Sequence, residues 1–467
     1  MRHSAQRYGE KSPGSGTRGR EAWFPVIQSP MQSIPNGRRW NGSNLRGALR
    51  VAGLAVCFLP LLCPAQTAPT YTISAAVGNG TAGFSGDGAA ATDAEVNFPA
   101  AMFLDGAGNL YIADQANFRI RQVDVNGIIS TIAGTGTKGD TGNGDAATKA
   151  ELSEIGGITL DSSGNIYLCE TDKNYIRKID TSGKISAFAG TGTAGFTGDT
   201  TAYTIAYNKA NNITTVTTAT SAEISAPTGI AVDSKGNVYF SDTSNNRIRM
   251  ISATDSTITT VAGDGTGAYY GDGAGAIYSE INHPTWMVFD ASDNLYFCDS
   301  LNHRVRKIAA DDSRTITTVA GLGSAGNADN GGLAVNAQLH YPSSVALDST
   351  GNIYIADFIN NRVRMVTTNG VITTIAGNGK FGNTGDGGAA LDARMYFPCA
   401  VVVDGSGNVY VIDSLNTRIR LLTPDQTGTT TDQTDPTTTG TARSIRPAPP
   451  VHTIEPVRTV RPVRAAE

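Results

Sequence analysis

Six acidic side chains recur along this chain, each with a basic residue at a constant distance. Asp114, Glu170, Asp242, Asp299, Asp357 and Asp413 are followed seven residues later by Arg121, Arg177, Arg249, Arg306, Arg364 and Arg420. Nine residues before each acid stands another aspartate: Asp105, Asp161, Asp233, Asp290, Asp348 and Asp404. Carboxylates beside a guanidinium can perform acid–base chemistry or hold a cation. They can also do no more than satisfy backbone donors in a turn and pair with one another. The sixfold repetition favours the second role. A reaction site needs a few unlike groups, whereas a residue present in every repeat holds the repeat together. The aspartates are therefore expected to accept backbone N–H groups, and the arginines to pair with acids on neighbouring strands.

Chemistry could reside where the repetition breaks. Glu170 replaces aspartate, and Ile155-Gly156-Gly157 stands where the other repeats open on proline. His283 and Trp286 flank Pro284, His340 and Tyr341 precede Pro342, and Tyr396 and Phe397 precede Pro398. Tyr269 and Tyr270 lie in a glycine-rich connection and are expected to be exposed. Aromatic rings in such places can stack on sugars or peptide side chains, or simply plug gaps between repeats. The candidate binding residues are therefore Tyr269, Tyr270, His283, Trp286, His340, Tyr341 and Tyr396. No catalytic residue, metal ligand or cofactor is assigned. His283, His303 and His340 occupy three different repeat positions, His303 in a turn expected at the surface, whereas a histidine zinc site needs several convergent rings. There is no Gly-x-Ser-x-Gly elbow, and Gly134-Thr135-Gly136 lacks the strand–helix context of a nucleotide loop.

The elements that position these residues can be read from one unit. Ser344 to Leu347 is a short apolar strand and Asp348 to Asn352 its turn. Ile353 to Ala356 is a second strand, turning over Asp357 to Asn361, and Arg362 to Val366 is a third. Asn369-Gly370 is a two-residue hairpin signal, leading into a fourth strand from Val371 to Ala376. The terminal acids are spaced by 56, 72, 57, 58 and 56 residues, so six such units follow one another. The sixth breaks off at Pro424 without its fourth strand. The missing strand stands at the other end, where Tyr71 to Gly78 fits the fourth-strand pattern. Connections between units are rich in Gly-Asp-Gly, as at Gly86-Asp87-Gly88, Gly271-Asp272-Gly273 and Gly385-Asp386-Gly387. Together with the turns after the second strands, they should gather on one face. The connection before the third unit carries a Thr/Asn-rich insertion, around 201–222.

The recurring PxxVAVDxxGNxYxxDxxNxRIRxI pattern, as in Pro398 to Leu422, resembles the NHL repeat. The likeness covers residues 71–423 and recurs in phase; the long Gly-Asp-Gly connections are similar to those of exported bacterial NHL proteins. It implies an all-β fold: a six-bladed β-propeller of four-stranded antiparallel blades, closed by the N-terminal strand completing the last blade. The resemblance also implies a recognition scaffold. Propellers of this architecture include gluconolactonase-type hydrolases and the peptidyl-amidating lyase, both metal-dependent, so fold alone leaves an enzyme open.

Charge is unevenly distributed. Residues 1–50 carry a net +7, residues 424–467 are neutral, and the stretch between carries −12. An acidic body repels phosphate backbones, so nucleic acid is not an expected partner. Val51 to Cys63 is an apolar run too short to span a bilayer but suited to a signal peptide, preceded by Arg38, Arg39, Arg46 and Arg50. The organisation read from the sequence is a basic leader and signal peptide over 1–65 (with Met31 as an alternative start), a propeller over 66–423, and a disordered Thr/Pro/Arg-rich tail over 424–467. The expected function is a non-enzymatic scaffold, secreted, periplasmic or on the cell surface. It would be monomeric, without a transmembrane segment in its mature form, and would recognise a protein or glycan through its long-loop face. The alternative is a metal-dependent hydrolase or lyase using loop carboxylates. Cys169 and Cys298 share a repeat position in different blades and should pack as small residues rather than pair.

Overall fold

The computed structural model describes residues 69–199 and 218–425. The expected leader and signal peptide, most of the insertion and nearly all of the C-terminal tail lie outside the described residues.

The repeats form six four-stranded antiparallel sheets. Blades 1 to 5 run over residues 99–133, 155–189, 227–262, 284–320 and 342–376. Each begins at an inner strand and steps outward. Blade 6 takes Pro398–Val403, Val409–Asp413 and Arg418–Pro424 from the end of the described chain and Tyr71–Val77 from its start. Tyr71 pairs with Pro424, Ile73 with Leu422 and Ala75 with Arg420, with a bulge before Val77 meets Ile419. Tyr71, Ile73 and Val77 are all buried. The ring is thus closed by the N-terminal strand, as the missing sixth-repeat strand requires. The expected strand boundaries agree with the structure to within one or two residues, which is the usual play at strand ends.

The strands form where β-branched and aromatic residues cluster, and the turns where Asp, Asn and Gly interrupt them. The second strand of blade 5, Ile353–Asp357, is buried at every position because neighbouring blades cover both of its faces. Six apolar clusters fill the ring, each drawing on adjoining blades.

Antiparallel order sorts the connections. Those after the second and fourth strands lie on one face, called upper here, and those after the first and third on the lower face. From the upper face each long connection descends along the outermost strand of the blade it leads into. Gly88 N–H bonds Ile129 O at 2.8 Å and Ala91 N–H bonds Gly127 O at 2.8 Å; the pattern recurs at Gly144–Ile185, Gly273–Ile316, Gly331–Ile372 and Gly387–Ile73. These connections therefore occupy part of the sheet edge that an outer strand would otherwise expose.

Candidate functional site

The sixfold carboxylates and arginines are structural. Asp105 accepts the N–H groups of Ala107 and Asn109 at 2.9 and 2.8 Å, and Asp161, Asp233, Asp290, Asp348 and Asp404 repeat the arrangement. Arg121 pairs with Asp114 at 3.2 Å, and the equivalent pairs in the other five blades close at 3.1–3.3 Å. In every pair both side chains are at most 1% exposed.

The sequence pattern alone did not show what the Gly-Asp-Gly acid does. Asp87, Asp199 and Asp272 reach the same guanidiniums at 2.7 Å and Asp386 does so at 2.8 Å, locking each long connection onto its blade. In blade 2 Asn143 Oδ1 substitutes, accepting from Arg177 Nε at 3.1 Å. In blade 5 the residue is Asn330, whose Oδ1 already accepts the Thr374 N–H at 2.6 Å. Asp272 serves both the equivalent N–H and the arginine with its two oxygens, whereas an asparagine whose oxygen takes the N–H turns its NH2, a donor, toward the guanidinium. Arg364 Nε and Nη2 are accordingly buried without an acceptor among the described residues. Asn330→Asp should therefore stabilise the protein by about 1 kcal/mol, the worth of one restored hydrogen bond. Chemical denaturation of the two proteins checks this; an unchanged midpoint would mean that Arg364 is already satisfied.

Blade 2 departs furthest. Where Asp114 accepts the Asn97 N–H at 2.7 Å, Glu170 is displaced, and Asp172 accepts the corresponding Glu154 N–H at 3.1 Å. Lys138 joins Glu154 and Asp172 at 2.6 and 2.9 Å. Gly156 and Gly157 are required by packing: a β-carbon on Gly157 would lie 2.0 Å from Thr228 O of blade 3. Burial pushes the Glu170 carboxyl up to about 7, opposed by Arg177 and Ser153 and reinforced by Asp172. The unfolded chain loses this proton near pH ~4.3. Between that pH and about 7 the folded state holds a proton that the unfolded state lacks, so this group's contribution to stability falls as pH rises through the window. A carbon-13 titration of Glu170 should give a midpoint near neutrality; one in the ordinary carboxylate range would show that the ion pair keeps it charged.

The remaining departures concentrate on the upper face of blades 4 to 6. Tyr341 Oη lies 3.0 Å from His283 Nδ1, and the Tyr341 N–H donates to His303 Nδ1 at 3.2 Å. In three other seams the equivalent N–H, of Ala226, His283 or Phe397, donates to an asparagine Oδ1, of Asn174, Asn246 or Asn361. His303 thus stands in for an asparagine, with Nδ1 as its acceptor. It is half-buried rather than a free surface residue, because the next blade's connection closes over it. Its ring meets His340 edge-on at 5.5 Å. His303 and His340 therefore meet although their repeat positions differ, and His283 joins them through Tyr341: the seam sets the turn after the second strand of one blade against the entry to the next. Burial lowers the pKa of all three.

The aromatic series continues across the seam to blade 6. Four blades carry a hydroxyl after the conserved acid that bonds to the next blade, Thr171, Thr243, Ser300 and Ser414 reaching proline carbonyls at 2.7–2.9 Å. Blade 5 has Phe358 instead, stacked on Phe397 with centroids 4.7 Å apart. Tyr341 adjoins Phe358 at 5.9 Å, Phe397 adjoins Tyr396 at 5.0 Å, and Tyr396 adjoins Phe381 at 5.4 Å. Phe381 is 69% exposed. His283, His340, Tyr341 and Tyr396 are thus brought into one band, which His303, Phe358, Phe397 and Phe381 extend.

The other candidates lie apart from this band. Trp286 lies on the inner strand of blade 4 and lines an apolar hollow of about 260 Å³ at the axis, with Phe103, Phe289, Leu160 and Val402. The other blades hold only Ala101, Gly157, Gly229, Ser344 or Ala400 at its position. Tyr269 packs its ring over Arg304 at 3.7 Å and donates to Asp272 at 2.9 Å, as Phe84 and Phe196 cover Arg119 and Arg247. Tyr270 is 67% exposed. Among the described residues no group of three or more His, Cys, Asp or Glu side chains is placed to hold a metal ion. Among those residues, too, no helix is long and apolar enough to cross a membrane.

Six four-stranded antiparallel blades closed into a ring define a six-bladed propeller. The Teneurin NHL domain profile matches residues 75–141 and 276–384. The chain is 28% identical over 293 residues to Protein SUPPRESSOR OF QUENCHING 1, chloroplastic, of Arabidopsis thaliana, covering 59% of this chain and 26% of that protein. It is 32% identical over 238 residues to Teneurin-1 of Mus musculus, covering 44% of this chain and 8% of that protein. The chain therefore spans about a quarter of the first relative and less than a tenth of the second. A solved auxiliary nutrient binding protein from Bacteroides thetaiotaomicron superposes with a TM-score of 0.52 at 15% identity, over 76% of this chain and 77% of that one, a likeness of fold. The repeat, the fold and these matches together support an NHL-repeat propeller.

Proposed function

We propose that this protein is an exported, non-enzymatic binding scaffold that takes a protein or glycan ligand on the upper face of blades 4 to 6. The observation that carries this reading is the contiguous band from His283 through Tyr341, Phe358, Phe397 and Tyr396 to Phe381. Phe358 is buried and anchors the band, its neighbours are half-buried and Phe381 is exposed, and such a graded series of rings beside polar imidazoles suits stacking on sugar faces or on apolar peptide side chains. The sixfold acids and arginines do not compete for this role, being committed to turns and to one another.

An array of glycans and peptides probed with the full chain tests the reading. Phe381→Ala and Tyr396→Ala should each weaken capture about tenfold, the order of effect of removing one well-placed aromatic contact. Val125→Ser, an exposed change on the lower face, should leave capture unaltered. Equal capture by all variants would place binding elsewhere. A tightly held divalent ion, with hydrolysis of lactones or esters, would replace the scaffold by an enzyme.

A further inference from the structure

The lower face breaks its own repetition at one place. The turn after the first strand puts glycine in the left-handed region in five blades, at Gly108, Gly164, Gly236, Gly351 and Gly407, but blade 4 has Asp293 there at φ 60°. The hairpin after the third strand uses Gly127, Gly183 and Gly370, whereas blade 3 has Ser256 at φ 58° and blade 4 has Arg314 at φ 42°. A β-carbon in this region costs about 1–2 kcal/mol, and such strain gathers where a site needs a particular side chain. All three exceptions fall in blades 3 and 4. Two of them, Asp293 and Arg314, line a single cleft of about 160 Å³ in the seam between these blades.

The cleft arises from three further departures. In blade 1 the second-strand tyrosine is capped by its own third strand, Gln122 Nε2 donating to Tyr111 Oη at 3.1 Å, and Lys178 and Lys307 lie over the equivalent Tyr167 and Tyr296 at 5.3 and 5.2 Å. Blade 3 has the uncharged Met250 at this position. Phe188, which packs edge-on against Tyr167 at 4.8 Å, is replaced by the smaller Val261. Finally, seven residues separate Ile308 from Ile316 in the blade 4 hairpin, where five separate Val123 from Ile129. The longer hairpin carries Arg314 over the seam to the Tyr239 hydroxyl, which also meets Asp233. Asp293 is anchored by the Ser234 N–H at 3.0 Å and by the Ser234 hydroxyl.

We propose that this cleft binds a free α-amino acid with an apolar side chain. Met250 and Phe289, both half-buried, offer that side chain an apolar floor over the buried Val261, Leu295 and Ile308. Arg314 and Lys235, both exposed at the mouth, receive the carboxylate. Asp293 receives the ammonium through the oxygen lone pairs that its two bonds to Ser234 leave, a carboxylate having about four such sites, while Asp233, filled by Lys235, Asn237 and Tyr239, contributes its charge alone. Two cations and two anions around one small cleft with an apolar floor suit a zwitterion. A plain anion would meet both carboxylates, and a plain cation both basic groups. The volume is below the ~300–1,000 Å³ of sites for drug-sized ligands, which limits the ligand to this size class.

Calorimetric titration of the full chain with L-leucine and L-phenylalanine tests the assignment, with N-acetyl-L-leucine and L-leucinamide as partners lacking one charge each. Asp293→Gly and Arg314→Gly restore the residue the other blades use, so both should fold at least as stably as the parent. The expected result is saturable binding of the free amino acids, weakened about tenfold or more by masking either charge and by either substitution. Failure of both amino acids to bind overturns the proposal. So does binding that survives both glycine substitutions, or binding that ignores the loss of a charge.

Discussion

Arg306→Met should destabilise the protein by about 3–5 kcal/mol, because it leaves a buried carboxylate without its counter-charge. Arg306 and Asp299 are both fully buried, their charged atoms 3.3 Å apart. The same guanidinium holds Asp272 at 2.7 Å and the carbonyls of Glu280 and Tyr270 at 2.9 and 3.2 Å. One substitution therefore orphans two carboxylates and releases the long connection into blade 4. Burial already pushes Asp299 up to about 6, and without the arginine it should rise further. An exposed pair offers the contrast. Lys307→Ala removes a contact to Asp290 of 3.9 Å between side chains 30% and 25% exposed, and should cost less than about 1 kcal/mol. Urea titration of the three proteins distinguishes these cases. Equal small losses would mean that the buried arginines are ornamental to stability.

Removing the N-terminal strand should be as damaging. Without Tyr71–Val77, blade 6 keeps three strands, and the edge of Arg418–Pro424 is left without its partner. The lost burial of Tyr71, Ile73 and Val77 is worth about 5–9 kcal/mol at ~1.5–3 kcal/mol per large side chain. That is comparable to the whole stability of a typical domain, about 5–15 kcal/mol. A chain lacking residues 71–77 should unfold at lower temperature and associate through its open edge, visible by light scattering. A synthetic peptide of residues 70–78 should restore both properties. A monomeric, equally stable deletion would show that the ring does not depend on this strand.

How much of this was legible beforehand follows from what repeats. The six strands-and-turns units, the closing strand and the structural use of Asp105 and Asp114 could be read because each recurs in phase, so every copy checks the others. The partner of the Gly-Asp-Gly acid could not. Asp87 and Arg121 are 34 residues apart, and nothing in either segment indicates that the connection descends along the outer strand. The convergence of His283, His303 and His340 was hidden for a related reason. Their repeat positions differ, but the ring sets the turn after the second strand of one blade against the entry to the next, and proximity depends on that seam. Comparing the αL position across blades, Asn174, Asn246, His303 and Asn361, would have been the available signal. The lower-face cleft had signals too, in Asp293 where glycine recurs and in the longer blade 4 hairpin. They matter only once the seam is seen to bring Arg314 over Tyr239.

The central claim is that sixfold residues hold the ring while the departures on its upper face bind. The most direct measurement is ligand capture per folded molecule, compared between a departure and a repeated residue in one blade. Tyr396→Ala should lose capture while its melting temperature stays near the parent value. Asp404→Ala, in the same blade, should melt earlier and capture normally once corrected for the folded fraction. The reverse pattern, normal capture by Tyr396→Ala and a stable Asp404→Ala that no longer binds, would contradict the account.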